Sequence, residues 1–393
     1  MSSERAEPGT AQPPVAGRCD PRFEGVRDAF RRNFAEHEEV GASVCVFVGG
    51  RCVVDVFGGH RERERRSPWR EDTLVNAWSV GKGVTAMVAL ALVERGLLDL
   101  DLPLARIWPE LAAEDKGATT LRHVLSHRAG LPGVREPLPD GAMLDWATMC
   151  DALARQRAYW PTGERHGYHV MTYGFLVGEA VRRATGRSVG ETLRRELAGP
   201  LGADVHIGLP AREHGRVATM ADYPVVPRTR AQWESIFPAT GDDEHDRMVW
   251  HTYFNPPDGS GIGRVNTPAW RSAEIPSANA HATARGVAAL YQGLLDTRWI
   301  SPGLRAEAAR IHSDGEDAIL ARPSRFGLGF QLSQPTRPLG PNAEAFGHWG
   351  HGGGLGFADP VAGVAFGYLM NRPGVRWQTP RTQNLIDALY AAL

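Results

Sequence analysis

The stretch NAWSVGKGVTAMVAL, residues 76–90, decides how the whole chain is interpreted, because it places Ser79 three residues before Lys82 where an extended run passes into a helix. Helical residues three apart share one face and lie one turn from each other. A serine hydroxyl becomes a nucleophile when a neighbouring base takes its proton, and a lysine is such a base when burial lowers its pKa. The apolar residues around this pair indicate burial.

Two interpretations of Ser79 follow from these residues alone. Serine is a favoured N-cap, and a lysine one turn into a helix is usually solvated. In the catalytic interpretation, the same helix N-terminus offers partial positive charge and N–H groups to an oxyanion formed at Ser79. The spacing by itself does not separate the two, so the decision rests on the rest of the chain.

The flanking segments predict an α+β fold. Residues 42–59, ASVCVFVGGRCVVDVFGG, contain two β-rich runs joined through Gly49-Gly50, the signal of a hairpin. Further β-rich runs occur near the C-terminus, at 354–360 and 363–371, whereas the middle of the chain alternates helical stretches with Pro- and Gly-rich loops. We therefore expect an antiparallel sheet built from both termini and flanked by helices, together with a mostly helical inserted region.

The predicted organisation has three parts: a disordered tail at 1–19, an α/β domain formed by 20–100 and 276–393, and a mostly helical domain at 101–275. The active site is expected at the interface between the two domains.

Composition excludes several classes of protein. Lys and Arg number 44 against 45 Asp and Glu, and no basic stripe is present, so nucleic acid is not an expected partner. No uninterrupted apolar run reaches the roughly 18 residues that suggest a membrane span. The four cysteines contain no CxxC pair, which predicts reduced core thiols. The N-terminal segment MSSERAEPGTAQPPVAG shows no secretory pattern, so we expect a cytoplasmic protein. We also expect that the protein needs no metal and no organic cofactor.

Three further stretches follow the Ser79 motif in order along the chain. They are LRHVLSHRAGLPG at 121–133, PTGERHGYHVMTYGFLVGEAV at 161–181 and GHWGHGGGLGFADP at 347–360. With these stretches the chain resembles the serine hydrolases of the β-lactamase and penicillin-binding-protein fold, and most closely the family VIII carboxylesterases. The resemblance covers the chain from the hairpin to the last helix.

The resemblance implies roles for three side chains. In that family the serine of Ser-x-x-Lys is acylated by the substrate, the lysine is its base or orients it, and a tyrosine opening the second motif shares the proton transfer. These residues correspond to Ser79, Lys82 and Tyr168, and whether Lys82 or Tyr168 takes the serine proton stays open. The resemblance also implies an oxyanion hole formed by the backbone N–H groups of Ser79 and His351.

Two positions depart from the pattern of β-lactamases. Val170 stands in place of an asparagine that contacts an amide, and the triplet His348-Trp349-Gly350 stands in place of Lys-Thr-Gly. The lost ammonium weakens capture of a substrate carboxylate. Both departures argue against β-lactamase and D-aminopeptidase activity and favour esters. The substrate contacts that the resemblance implies are His348, Trp349, Gly350, His169 and Asn279.

The leading hypothesis is hydrolysis of a small-molecule carboxylic ester through an acyl-enzyme on Ser79. The alternative is a transacylase, in which an amine or alcohol acceptor replaces water. A non-catalytic protein that keeps the fold is disfavoured because all three catalytic residue types are present.

Several other residues suggest chemistry but have simpler explanations. Gly186, Ser188 and Gly190 match the lipase pattern GxSxG, yet the segment entering it is helical, so Ser188 is interpreted as a helix cap. Tyr173 lies inside a predicted helix and is interpreted as core. His348 and His351 lack a third ligand for a metal. The aromatic residues of 250–254 either line an acyl cleft or pack in the core.

Overall fold

The computed structural model describes residues 14–221, 239–257, 259, 261, 263–375 and 377–393. Its strands are β1 Val15–Cys19, β2 Gly41–Val48, β3 Arg51–Gly59, β4 Val75–Asn76, β5 Val205–His206, β6 His281–Ala282, β7 Ser313–Glu316, β8 Pro323–Phe326, β9 Gln331–Leu332, β10 Phe346–Trp349, β11 Leu355–Asp359 and β12 Val364–Met370. Its α-helices are α1 Glu24–Glu36, α2 Val80–Glu94, α3 Leu121–Leu125, α4 Trp146–Arg155, α5 Thr172–Thr185, α6 Val189–Leu193, α7 Gly199–Leu201, α8 Asp243–Phe254, α9 Pro268–Ser272, α10 Ala284–Leu295, α11 Pro302–Ala309 and α12 Pro380–Ala391.

The main sheet joins the two ends of the chain. Within the described residues its strand order is β1-β3-β2-β12-β11-β10-β9-β8-β7, with antiparallel pairing throughout. The N-terminal hairpin turns at Gly49 and Gly50, both at positive φ, and its strand β2 pairs with β12 from Val48 opposite Val364 to Ala42 opposite Met370. The prediction of an α+β fold with a sheet built from both termini is therefore confirmed.

The last helix seals the junction between the two ends. Helix α12 packs beside α1, where the Asn33 side chain donates a hydrogen bond to the Arg381 carbonyl at 3.0 Å. A buried ion pair joins Arg381 to Glu39 at 2.7 Å, and the Tyr368 hydroxyl of β12 also donates to Glu39. The termini are thus held together by both sheet hydrogen bonds and side-chain contacts.

Helix α2 runs through the centre of the molecule. Residues 80–92 are all buried, which matches a helix that is apolar on every side. It packs against α5 on one side and against β10 of the main sheet on another. Because of this position, the N-terminus of α2 lies where the sheet and the helical region meet.

A second, small sheet crosses the predicted domain boundary. Strand β6 pairs with β4 on one side and with β5, from the inserted region, on the other. The division into two domains stays a prediction. No helix among the described residues combines the length and the apolar composition needed to cross a bilayer.

The prediction of a disordered tail at residues 1–19 is wrong for residues 15–19. Residues 15–19 form the edge strand β1, in which Val15 lies opposite Gly58 and Cys19 opposite Val54. Gly17 allows this pairing, since its φ is +107° and a Cβ there would lie 2.0 Å from the Asp55 carbonyl oxygen. The sequence does not predict this strand, because residues 15–19 show no alternation of apolar and polar side chains. The strand is recognised only from its pairing with β3. Residues 1–13 lie outside the described part of the chain.

Candidate active site

Ser79 is exposed to solvent within a segment that is otherwise buried. Every residue from 73 to 92 is buried except Ser79, which is partly exposed. The preceding Trp78 adopts a left-handed backbone conformation with φ of 52°, and the Ala77 N–H donates to the Ala280 carbonyl at 2.7 Å. A bulky residue in this conformation is strained, so the surrounding contacts hold the serine at this turn.

The Ser79 hydroxyl is paired with Lys82. Ser79 occupies the N-cap position of α2, yet its side chain makes no capping hydrogen bond. The Lys82 Nζ lies 3.1 Å from Ser79 Oγ and donates to the Ser277 carbonyl at 3.0 Å. Ser79 is therefore not a simple helix cap, because its hydroxyl contacts Lys82 and makes no capping hydrogen bond.

Lys82 is fully buried and has no carboxylate in ion-pair contact among the described residues. Burial lowers its pKa well below the ordinary value of 10.5. Desolvation disfavours the ammonium form, so a neutral amine becomes accessible. A neutral amine can accept the proton of the hydroxyl that it contacts.

Tyr168 completes the group from the helical region. Its ring centre lies 4.8 Å from Lys82 Nζ, and its side chain is buried. Burial raises the pKa of the phenol, while the neighbouring Ser79 hydroxyl partly offsets that rise. The Ser79 hydroxyl is the neighbour of the phenolic oxygen, which forms no other hydrogen bond in the described part of the chain. The phenol is thus protonated at neutral pH.

Asp317 holds the backbone of Tyr168, a contact that the sequence analysis missed. Its Oδ1 accepts from the Tyr168 N–H at 2.9 Å and from the N–H groups of Ile319 and Leu320 at 2.9 and 3.0 Å. Its Oδ2 accepts from the Ser324 hydroxyl at 2.7 Å. The carboxylate is buried, so these donors replace its hydration. No local pattern around Asp317 signals this role.

The triplet His348-Trp349-Gly350 lies against the start of α2. A Cβ on Gly350 would lie 2.6 Å from the Ala77 carbonyl oxygen, so the glycine lets β10 approach the Ser79 turn. The following residue, His351, packs its ring 5.5 Å from the Trp78 ring. The ring of His351 therefore lies beside the turn that carries Ser79, and the oxyanion hole stays a prediction.

His348 lies on the same side of the site. Its ring is 6.1 Å from the Tyr168 ring and is fully buried. Burial and the nearby Lys82 lower its pKa to about 3, so it is neutral at pH 7. Its Nδ1 donates to the Trp349 carbonyl at 2.8 Å, and its Nε2 has no partner among the described residues.

Two predicted substrate contacts are corrected by their hydrogen bonds. The Nε2 of His169 accepts from the Leu131 N–H at 3.1 Å and its Nδ1 donates to the Gly167 carbonyl at 2.6 Å, so both ring nitrogens are used. The Asn279 amide donates to the carbonyls of Trp270 and Ala273 and accepts from the Ile275 N–H. Both side chains are fully buried and hold neighbouring backbone, which leaves no donor for a substrate.

Other interpretations agree with the structure. Ser188 accepts from the Glu191 N–H at 3.2 Å and caps α6, as predicted. Tyr173 is buried and donates to the Lys82 carbonyl at 3.3 Å, as expected of a core residue. The four cysteines, all within the described residues, are free thiols.

An aromatic wall flanks Tyr168. The Phe326 ring stacks on it at 5.8 Å with an angle of 7°, and the Trp377 ring meets it edge-on at 5.2 Å. Tyr253 and Phe254 of α8 pack in the same cluster. This wall separates Tyr168 from a cavity lined by Phe326, Trp349 and Trp377.

Comparison with known proteins gives one consistent family. The model of the Beta-lactamase family matches residues 26–389. A family VIII carboxylesterase of known crystal structure is 37% identical, with a TM-score of 0.87 over 97% of this chain and 100% of that one. Esterase/beta-lactamase LipL of Mycobacterium tuberculosis is 32% identical over 91% of this chain and 83% of its own length. Esterase EstB of Burkholderia gladioli is 27% identical over 92% of this chain and 93% of its own.

Proposed function

The chain belongs to the Beta-lactamase family, and from that membership we propose that it is a serine hydrolase that cleaves carboxylic esters through an acyl-enzyme on Ser79. The observation that carries the proposal is the 3.1 Å contact between a buried, unpaired amine, Lys82, and the hydroxyl of Ser79. Its esterase relatives support an ester as the substrate.

The proposed first step is acylation. The neutral Lys82 amine accepts the hydroxyl proton as Ser79 Oγ attacks the ester carbonyl. The resulting oxyanion is stabilised by the N–H groups of Ser79 and His351, at the start of α2 and the end of β10. When the carbon–oxygen bond to the alcohol breaks, the alkoxide takes a proton from Tyr168, which regains one from the Lys82 ammonium. Water then attacks the acyl group while Lys82 accepts one of its protons. As the bond from the acyl carbon to Ser79 Oγ breaks and the free acid leaves, that proton passes to Ser79.

We assign the role of base to Lys82 rather than to Tyr168. Burial lowers the pKa of Lys82 and raises that of Tyr168, so at neutral pH the amine is the group that can become free of its proton. Tyr168 then serves as the donor to the leaving group.

Two departures from the β-lactamase pattern support esters over β-lactams. His348 replaces a lysine and is neutral, and Val170 replaces an amide-binding asparagine. A β-lactam would therefore lose both an ionic contact and a hydrogen bond next to Tyr168.

The test uses p-nitrophenyl butyrate and three proteins: wild type, Ser79→Ala and Ser188→Ala. We expect Ser79→Ala to lower kcat by about 10⁴-fold or more, the order found when a serine nucleophile is removed. Ser188→Ala, which removes the decoy serine, should keep the rate within a few-fold. Mass spectrometry of the quenched wild type should place the acyl group on Ser79. Equal rates in wild type and Ser79→Ala would reject the proposal.

The transacylase hypothesis stays a prediction with its own measurement. Adding amines or alcohols to the same assay and quantifying amide or new ester against free acid gives the partition of the acyl-enzyme. A cytoplasmic location also remains part of the proposal, and the four free thiols are consistent with it.

A further inference from the structure

We infer that His127 is a positioning residue for Tyr168. It holds the phenol where the departing alcohol takes its proton, and it therefore determines how basic a leaving group the enzyme can expel. This inference deepens the proposed function and rests on it. The observation that carries it is that His127 binds the residues on both sides of Tyr168.

His127 ends helix α3 in a left-handed turn. Its φ is 60°, its N–H donates to the Val124 carbonyl at 3.1 Å, and the Arg128 N–H donates to the His123 carbonyl at 2.7 Å. This pair of hydrogen bonds defines the Schellman motif, in which glycine is the usual residue at the left-handed position. A side chain there is less favourable than glycine. The histidine is therefore expected to contribute something that glycine lacks.

The turn lets His127 reach both neighbours of Tyr168. Its carbonyl accepts from the Gly167 N–H at 3.1 Å, and its ring Nδ1 accepts from the His169 N–H at 3.1 Å. A glycine at this position would supply the first of these bonds but not the second. The Tyr168 N–H itself donates to Asp317 at 2.9 Å. All three N–H groups of residues 167–169 are thus held by acceptors from distant parts of the chain.

The ring of His127 also packs against the phenol. Its centre lies 4.9 Å from that of Tyr168 and 4.5 Å from that of Phe326, the residue that stacks on Tyr168. The His127 side chain is fully buried. Because buried rings are closely packed, the phenol cannot rotate away without displacing them.

The hydrogen bond to His169 requires one form of the His127 ring. Nδ1 accepts, so it carries no proton, and the proton of the neutral ring is on Nε2. Burial lowers the pKa of His127 well below 6.5, and the nearby His169 and Lys82 lower it further, so the ring is neutral at pH 7. Nε2 has no partner among the described residues. The ring's hydrogen bond in the described part of the chain is therefore the one to the residue after Tyr168.

The position of Tyr168 matters most when the leaving group is strongly basic. Phenoxide leaving phenyl acetate needs a proton more than p-nitrophenoxide leaving p-nitrophenyl acetate does, because the nitro group stabilises the negative charge. Both esters transfer the same acetyl group to Ser79. The ratio of their kcat/KM values therefore reports how well the phenol is placed, and it does not depend on the concentration of folded enzyme.

The test compares His127→Asn with His127→Gln. The Asn oxygen can take the place of Nδ1, whereas the Gln amide reaches the place of Nε2, so the Asn variant keeps the acceptor for the His169 N–H. We expect His127→Asn to keep the ratio of phenyl acetate to p-nitrophenyl acetate within about threefold of wild type, and His127→Gln to lower it about tenfold or more, as expected for a displaced general acid. A ratio that His127→Gln leaves unchanged, or that both variants lower equally, would overturn the inference.

Further variants separate positioning from stability. His127→Gly, which suits the turn but has no acceptor, takes the place of His127→Gln if that variant does not fold, and it should lower the ratio as well. In a Tyr168→Phe background His127→Gln should not lower the ratio further, and an additional loss would overturn the inference.

Thr297 provides the matched control. It occupies the same left-handed position at the end of α10, with φ of 52° and an equivalent pair of backbone hydrogen bonds. Thr297→Gln should leave the ratio unchanged, and a decrease equal to that of His127→Gln would overturn the assignment to His127. Ser79-dependent hydrolysis of p-nitrophenyl acetate tests the proposed function separately.

Discussion

At the scale of single residues, the burial of Lys82 lowers the free energy of unfolding of the protein. The folded protein keeps this amine at a lowered pKa, whereas in the unfolded chain it is protonated up to about pH 10.4. At neutral pH the unfolded state therefore binds a proton that the folded state gives up, and this difference lowers the free energy of unfolding. The decrease in unfolding free energy becomes smaller as the pH rises.

Lys82→Met should therefore be more stable than wild type at pH 7, although inactive. The gain should decrease as pH approaches 10, since the unfolded wild type then loses its own proton. Urea unfolding at several pH values measures this difference. A gain that does not change with pH would show that burial of the amine is not its cause.

The same lowered pKa predicts an acid limb in the pH profile of kcat/KM. Activity should fall as pH drops through the pKa of Lys82, well below 10.5, because the ammonium cannot take the serine proton. His348, with a pKa of about 3, should contribute nothing near neutrality. The profile of His348→Gln should therefore keep the limb, whereas a limb that disappears would assign it to the histidine.

Asp317 should act as a positioning residue for Tyr168. Asp317→Asn weakens the acceptor of the Tyr168 N–H, so we expect kcat on a neutral ester to fall about tenfold, with KM nearly unchanged. The control is Asp314→Asn, an exposed neighbour on the same hairpin. In a Tyr168→Phe background, Asp317→Asn should have little further effect on kcat. Additive losses would mean that Asp317 acts through something else.

At the scale of elements, Gly83 lets the first turns of α2 pack closely against neighbouring elements. A Cβ on Gly83 would lie 2.6 Å from the Tyr291 hydroxyl and 3.3 Å from the Cβ of His348. Alanine normally favours a helix over glycine. Here the close approach of α2 to α10 and β10 outweighs that preference.

Gly83→Ala should therefore destabilise the protein by about 1–3 kcal/mol, the usual cost of overpacking, and lower activity as well. Gly25→Ala is the matched control, since that position lies in α1 and has open space around its Cβ. It should stabilise the protein by up to about 1 kcal/mol. Thermal unfolding of both variants checks the contrast, and equal shifts would contradict it.

At the scale of the whole molecule, the two chain ends depend on each other. The buried Arg381 and Glu39 connect α12 to the segment before β2, and Tyr368 adds a hydrogen bond from the strand between them. Removing one partner leaves a charge without compensation in the interior.

Arg381→Met should cost about 3–5 kcal/mol of unfolding free energy. The exposed pair of Arg31 and Asp28 offers a control, because Arg31→Met should change stability by less than about 0.5 kcal/mol. Urea unfolding measures both. A small loss for Arg381→Met would show that water or a shift of α12 compensates Glu39.

The sequence by itself determined the parts of this protein that depend on local spacing. The three-residue interval from Ser79 to Lys82, the glycine turn of the hairpin and the cap at Ser188 are all set by neighbours along the chain. The sheet built from both termini followed from where β-rich runs occur.

Only the tertiary structure decided which distant groups serve the site. Asp317 contacts Tyr168 across 149 residues, and the Ser277 carbonyl receives Lys82 Nζ across 195. The same long-range packing turned the side chains of His169 and Asn279 inward onto neighbouring backbone. Such contacts have no period in the sequence, because they are selected by how elements pack and not by the residues beside them.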